Sequence, residues 1–466
     1  MTPPPAPAYS LSPAGAEALA ECFGDRYRTA PEDLAHWGRD WTRSFPVAPS
    51  AVVFPESEAE VQTLVQLART HGFKLVPSGG RTGLSGGAVA PAGEVVVSFD
   101  RMNKVLAFDP AGRLLRCQPG VVVAEVAARA QAEGLYYPVD FASAGSAQLG
   151  GSVATNAGGI KVIRYGMTRN WVAGLRVVTG AGDVLELGRG LVKDNTGYDL
   201  KQLMIGSEGT LGLVTEVTVR LTSPPGPLQV LVLALPAFPD VMNVLATFER
   251  AVPVTAFEFF SDLALEKVVA RGDLSRPFAE AAPFYALIEF EGAEDAALDA
   301  FEHCLEAGWA QDGVLSQSGE QAARLWRLRE DISETISAWT PYKNDIAVPV
   351  AAVPEFLAAV DDRVKAAYPD LEVVWFGHIG DGNLHLNILK PDNVSQEAFY
   401  ARCHQVSPEI FAAVQALGGS ISAEHGVGLL KKDYLHFSRS DAERALMQGL
   451  RRCFDPDGVL NPGKLL

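Results

Sequence analysis

Three of the chain's eight histidines lie in two short motifs built like metal and acid–base sites. His378 and His385 flank Asp381-Gly382 in the run from Phe376 to Asn387. Asp-Gly is a strong two-residue hairpin turn. That turn predicts Gly380 opposite Asn383 and His378 opposite His385. Opposed hairpin residues hold their Cβ atoms about 5 Å apart on one face, so the two imidazoles can chelate one metal ion. Asn387, two residues past His385, shares that face. A lone histidine is most often a hydrogen-bonded core residue, but a pair mirrored about a turn is a rarer accident. The second motif, Ser422 to Gly428, adds Glu424 and His425. Two imidazoles and a carboxylate with one open position make a usual catalytic zinc or iron(II) set. Spacing does not decide which of Glu424 and His425 takes the metal. Adjacent side chains diverge, so one is expected on metal and the other on substrate. Arg329 and Ser333 are one turn apart on a predicted helix, and Lys343 follows that helix. Arginine and lysine near a metal suit an organic anion, because guanidinium grips carboxylate with two hydrogen bonds. The same pattern also describes a solvated helix face.

Glycine makes up 44 of the 466 residues, above the roughly 7% usual in globular chains. Much of the excess falls in three loops: 78–87, 150–159 and 206–212. Without a Cβ, successive backbone N–H groups can converge on one anion. One such loop is an ordinary turn. Three of them, interspersed with Ser, Thr and Asn in the first half of the chain, predict a cradle for a phosphorylated cofactor. No GxGxxG follows a predicted strand, which leaves a nicotinamide Rossmann site unsupported. Residues 458–464 resemble a P-loop, but Leu465 stands where Ser or Thr must hold magnesium. Gly83 to Gly87 matches the spacing of a hydrolase nucleophile elbow, yet it lies inside a glycine loop rather than between strand and helix.

These residues need a scaffold of about two or three domains. The formal charge is −17, which disfavours nucleic acid and anionic lipid as partners. Hydrophobic residues are 48% of the chain and charged ones 20%, enough for a packed core. The five cysteines show no CxxC spacing, which fits a reducing compartment. No apolar run reaches the roughly 18 residues of a membrane span, and the Pro-rich start lacks the marks of a signal peptide. A soluble cytoplasmic protein is therefore expected. Residues 1–46 read as a loose tail (1–12) and helices. Residues 47–223 alternate strands and helices. Ser57 and Glu60 form a capping box for a helix that Gly72 closes. Strands follow at 73–76, 95–99 and 214–220, and Ser223-Pro-Pro-Gly breaks the pattern. Residues 224–430 hold further strands at 228–235, 284–289, 373–378 and 384–388, with helices at 319–339 and 353–368. Residues 431–466 read as a helix and a short tail.

Together the runs PSGGRTGLSGG, GGSVATNAGG, VKDNTGYDLKQL, GSEGTLG, GHIGDGNLHLN, ISAEHGVG and LNPGK resemble the FAD-linked 2-hydroxyacid dehydrogenases, over about residue 50 to Leu466. The resemblance implies an α+β fold. A two-subdomain FAD-binding domain of the vanillyl-alcohol-oxidase (PCMH) type would carry a cap domain with an antiparallel sheet and a C-terminal helical return. It implies that Pro77, Ser78, Gly79, Gly80, Arg81, Thr82, Gly83 and Leu84 hold the FAD pyrophosphate. Gly145, Ser146, Gly150, Gly151, Thr155, Asn156, Gly158 and Gly209 would line the rest of the cofactor, with Asn461 returning from the C-terminus. The first loop has no His or Cys, so FAD is expected to be non-covalent. His378, His385 and Glu424 would ligate a divalent metal, zinc by expectation. Arg329, Ser333, Lys343 and Asn387 would bind substrate, and His425 would bind it and act as base.

The implied reaction oxidises a D-2-hydroxyacid by hydride transfer to flavin. The pattern at 329–333 is closest to the branch that acts on D-2-hydroxyglutarate, making 2-oxoglutarate. D-lactate, glycolate and D-malate remain alternative substrates, and a His/His/Glu metallohydrolase or a non-catalytic subunit of a redox complex are remoter readings. The implied partners are the small hydroxyacid and an electron acceptor such as an electron-transfer flavoprotein or a quinone, with a homodimer left open. Two departures stand out. Ser333 replaces a frequent Thr, and Asn344 replaces the Tyr of a Lys-Tyr-Asp run, which puts the shape of the distal carboxylate pocket in question. A dianionic substrate approaching a chain of charge −17 also needs a local positive pocket.

Overall fold

Valine-rich runs bounded by turns build the strands, and amphipathic helices cover them. The computed structural model describes residues 8–42 and 44–466. The first seven residues of the expected tail lie outside this set. The described chain divides into two compact units. The first joins residues up to Gly158, Met167–Pro224 and Glu424–Leu466; the second joins Gly159–Gly166 and Pro225–Ala423.

The first unit contains two sheets. In one, Ala51–Val53, Val95–Ser98 and Leu75–Ser78 run parallel, with Tyr27–Arg28 antiparallel at the edge. The strand Val95–Ser98 is buried throughout, as a parallel strand covered on both faces must be. The other sheet is antiparallel, in the order Val105–Asp109, Leu114–Cys117, Gly212–Arg220, Val172–Thr179, Val184–Leu187. The helix Glu58–His71 buries Val61, Leu64, Val65 and Ala68 and ends at Gly72 in the left-handed region. Its capping box is only half formed. Ser57 Oγ accepts the Glu60 N–H, but the Glu60 carboxylate accepts from Glu56 N–H and pairs with Arg26. The neighbouring cation outcompetes the reciprocal cap. The strand predicted at 73–76 runs instead over Leu75–Ser78, so it leads straight into the first glycine loop.

The C-terminal return closes this unit. The helix Asp441–Phe454 is followed by Asp455, whose carboxylate accepts the N–H groups of Val459 and Leu460 at 2.8 and 2.9 Å. That turn lets Leu75 N–H donate to Val459 O, and Asn461 N–H to Leu75 O. The tail thereby covers the open edge of Leu75–Ser78.

The second unit is built on one antiparallel sheet of seven strands: Asp312–Leu315, Leu228–Leu235, Phe284–Glu291, Val254–Ser261, Val373–Gly377, Asn383–Ile388 and Tyr342–Ala347. Phe260, Tyr285, Leu287 and Val374 pack on its core face with Leu325, Leu328 and Ile332. The predicted helix 319–339 is divided into Gly319–Glu330, Ile332–Ile336 and a 3-10 turn Ser337–Trp339. The break falls at Asp331, whose carboxylate is taken by Arg327 at 2.9 Å.

The hairpin register also differs from expectation. Val373–Gly377 ends before His378, and Ile379–Asp381 forms a 3-10 turn. His385 pairs with Phe376, not with His378. His378 O accepts the N–H groups of both Asp381 and Asn383, which widens the connection beyond two residues.

Residues 159–166 belong to the second unit, although they continue the second glycine loop. A buried ion pair between Lys161 and Glu289 anchors them. Glu289 also accepts from Thr255 and from Trp326 Nε1, and Lys161 lies over the Trp326 ring. In turn, 424–430 belong to the first unit rather than with the middle segment, because the Glu208 carboxylate accepts the N–H groups of Val427 and Gly428 at 2.7 and 2.8 Å.

Breaking one half of a buried pair strands a charge, whereas replacing both halves with apolar residues is often nearly neutral. Lys161→Met should therefore cost about 3 kcal/mol in denaturant unfolding. The double variant Lys161→Met/Glu289→Leu should recover most of it.

Candidate active site

The first unit brings the three glycine loops together. A Cβ on Gly80 would lie 2.1 Å from Ser146 O, and one on Gly209 would lie 2.5 Å from Pro77 Cγ. Side chains at either position would force the loops apart. Asn461 clasps the first and third loops from the C-terminal return. Its Nδ2 donates to Gly87 O at 2.9 Å and to Glu208 O at 2.7 Å, and the residue is 0% exposed. Asn461 thus acts as a fastener of the loops.

Surface remains open at Gly79, Gly80, Arg81, Thr82, Gly83 and Leu84, and at Gly145, Ser146, Gly150, Gly151, Thr155 and Asn156; Ser78, Gly158 and Gly209 are buried, and Pro77 is half-buried. Arg81 donates to Gly79 O, stacks near the Trp37 ring and faces Asp100 at 3.6 Å. Gln148, beside Gly79, donates to Asp100 and leaves its buried Oε1 without a partner. A glycine cradle with open backbone, an adjacent guanidinium and an orphaned acceptor fits a phosphorylated dinucleotide. In the same unit, His425 Nε2 lies 3.6 Å from Glu424 Oε1, and both side chains are half-buried.

The second unit gathers six of the predicted residues, with two that went unpredicted. Strand pairing sets Lys343 opposite Asn387 and Asp345 opposite His385. Alternation then puts all four on one sheet face. Asn344 lies on the other face and donates to Leu386 O, so its departure from the family pattern does not reshape this patch. Lys343 Nζ donates to Ser333 Oγ at 3.2 Å, which links the helical break to the strand. Burial pushes Lys343 down to about 8. Asn387 is buried, and its Nδ2 has no partner.

Despite the shifted register, the His378 and His385 rings lie 5.5 Å apart, centroid to centroid. Glu258 orients the first: its Oε1 meets His378 Nδ1 at 2.7 Å. Its Oε2 lies 2.9 Å from Arg329 Nη2, but the angles are too poor for a hydrogen bond, so this contact is an ion pair without directional bonding. Arg329 also stacks on Phe376. Asp345 faces His385 at 3.7 Å and accepts from Asn383 Nδ2 and Ala423 N–H. Glu424 is the next residue in the chain after that anchored Ala423. Burial pushes Asp381 up to about 6.

Glu258 and Asp345 were missed, although each left a trace. Glu258 is the lone carboxylate in the apolar run 256–260, and Asp345 stands two residues past Lys343, the spacing of one strand face. Around the patch Glu258, Asp345 and Asp381 outweigh Arg329 and Lys343. Imidazoles backed by carboxylates, on a buried face short of positive charge, fit a divalent cation.

Comparison with known proteins agrees with this layout. Residues 49–188 match the FAD binding domain family, and residues 225–465 match the family described as FAD linked oxidases, C-terminal domain. The chain is 58% identical to a D-2-hydroxyglutarate dehydrogenase of Stutzerimonas stutzeri, over 94% of this chain and 95% of that one. It is 55% identical to one of Xanthomonas citri, over 94% of each, and 37% identical to the mitochondrial enzyme of Bos taurus, over 96% of this chain and 82% of that one. Among solved structures, 4-ethylphenol oxidase from Gulosibacter chungangensis superposes with a TM-score of 0.76 at 17% identity, covering 99% of this chain and 98% of that one. p-Cresol methylhydroxylase gives 0.74 at 16%, covering 97% and 96%. These likenesses show the expected α+β flavoprotein fold. No helix among the described residues is long and apolar enough to cross a membrane. The chain is an FAD-linked oxidoreductase and belongs to the family of FAD-linked oxidases that includes the D-2-hydroxyglutarate dehydrogenases.

Proposed function

We propose that this protein oxidises D-2-hydroxyglutarate to 2-oxoglutarate and passes the electrons to an external acceptor such as an electron-transfer flavoprotein or a quinone. The observation that carries the substrate reading is the patch of Lys343, Ser333 and Asn387 beside the His378/His385 pair. It offers a cation, a hydroxyl and an unpartnered amide for one carboxylate, while the neighbouring imidazoles would serve the reacting end. A substrate with two carboxylates uses both ends; D-lactate and glycolate leave Lys343 without an anion, and D-malate is the nearest alternative.

FAD, when bound in the glycine cradle, supplies the two-electron acceptor for the hydride from substrate C2. His378, His385 and Glu424 would hold a divalent cation, zinc by expectation, which would supply positive charge for the C1 carboxylate and C2 hydroxyl. Lys343 and Ser333 bind the distal carboxylate, with Asn387 donating from the same sheet face. Arg329 adds positive charge and braces Glu258, which fixes the ring of His378. His425 takes the C2 hydroxyl proton on its imidazole as general base. The products balance: one hydride and one proton leave the alcohol, and a ketone forms.

A dye-coupled panel of D-2-hydroxyglutarate, D-malate, D-lactate, glycolate and the L-enantiomers tests the reading. The expected result is the highest kcat/KM for D-2-hydroxyglutarate, and preference for a monocarboxylate would overturn it. The pH profile tests Lys343 separately. Its ammonium is charged below about 8 and neutral above. KM for D-2-hydroxyglutarate should therefore rise above that pH, by up to roughly tenfold per unit. KM for D-lactate should not follow, and Lys343→Arg should flatten the rise.

A further inference from the structure

Residues 160–166 fall outside every glycine and histidine motif of the sequence, yet they pack against the turn that follows His378. The segment carries Ile160, Val162 and Ile163, and Gly166 at positive φ ends its one helical turn, Val162–Tyr165. Two contacts pin its start within the second unit. Ile160 packs on the core that includes Leu325 and Trp326. Lys161 pairs with the buried Glu289, and its Nζ lies 5.2 Å from the centroid of the Trp326 ring. Ile163, two residues on, then meets the turn Ile379–Asp381.

Gly380 shows how tight that meeting is. A Cβ there would lie 2.6 Å from Ile163 Cδ1 and 3.0 Å from Phe257 Cβ. Gly380 is buried and has no positive φ, so the position needs glycine for space and not for backbone conformation. The turn is therefore held between Ile163 and the strand Val254–Ser261, where Phe257 directly precedes Glu258. Glu258 orients the His378 ring through Nδ1 at 2.7 Å. One hydrogen bond sets how the ring is turned; where the ring sits also depends on the backbone behind it. His378 O accepts the N–H groups of Asp381 and Asn383, and Ile163 packs against the middle of that loop. A metal ligand must be held to within about 0.5 Å, so the packing behind the turn matters alongside the carboxylate.

We propose that Ile163 is a positioning residue for the metal: its side chain presses the turn after His378 against the strand Val254–Ser261 and so holds that imidazole where it can ligate. The inference rests on the reading of His378 as a metal ligand. Ile163 touches neither metal nor substrate in this role and acts through Gly380.

The test measures zinc affinity by chelator competition on the full-length, FAD-loaded protein stripped of metal, together with its unfolding midpoint. Ile163→Ala should raise the zinc Kd by at least about tenfold, the usual effect of losing an outer support of a metal ligand. Ile163→Leu, which keeps the volume, should hold the wild-type Kd, with Ile163→Val between the two. Val314→Ala is the control for stability alone. Val314 is also half-buried on the same core, but it lies on the edge strand Asp312–Leu315. It should lower the midpoint and leave the zinc Kd unchanged. Wild-type zinc affinity in Ile163→Ala would overturn the proposal, and so would an equal loss in Val314→Ala. Where Ile163→Ala does not fold, Ile163→Val decides it, and a wild-type Kd there overturns it. His378→Ala separates the two layers of inference. Loss of zinc in His378→Ala with wild-type affinity in Ile163→Ala sinks only the role of Ile163. Wild-type zinc affinity in His378→Ala sinks the metal reading itself.

Discussion

Glu258 is a carboxylate with no exposed surface, and it sets the terms for the whole polar patch. A buried charge of this kind survives only when partners surround it. Its two partners come from different elements: Arg329 from the end of the helix Gly319–Glu330, and His378 from just past the strand Val373–Gly377. Satisfying one carboxylate therefore fixes a guanidinium and an imidazole at the same time. It also fixes which ring nitrogen of His378 is spent on the protein, since Nδ1 faces Glu258. A histidine held that way coordinates through Nε2.

The same economy of placement appears in the FAD-binding unit, with backbone in place of charge. Gly80 and Gly209 let loops approach to distances that any side chain would forbid. Asn461 then joins two of those loops with one amide. Both units therefore rely on buried groups far apart in sequence, and neither uses a single contiguous motif. On the proposed reading, an acidic chain can serve a dianion, because Lys343, Arg329 and a bound cation would act locally, whereas the surface charge is screened within about 8–10 Å in ordinary salt.

Much of this was legible in the sequence where the signal was local. The helix after Ser57 and the strand Leu228–Leu235 follow from capping and turn chemistry. The His378/His385 pair was found for a partly wrong reason. Asp381-Gly382 suggested a tight turn, but the His378 carbonyl takes two N–H groups and opens a 3-10 turn instead. The rings still meet, because His385 keeps its sheet face and His378 is pulled by Glu258. Glu258 and Asp345 stayed hidden because their importance comes from burial and from partners in distant segments, Arg329 and His378 for the first and His385 and Ala423 for the second. No local pattern encodes such a separation.

The most direct test of this account is Glu258→Gln, which keeps the shape and removes the charge. Bound metal, bound FAD and KM for D-2-hydroxyglutarate should be measured together on the purified variant. The account predicts that metal content falls and KM rises together, while FAD content stays at the wild-type level. A variant that held metal and substrate as the wild type does would contradict it.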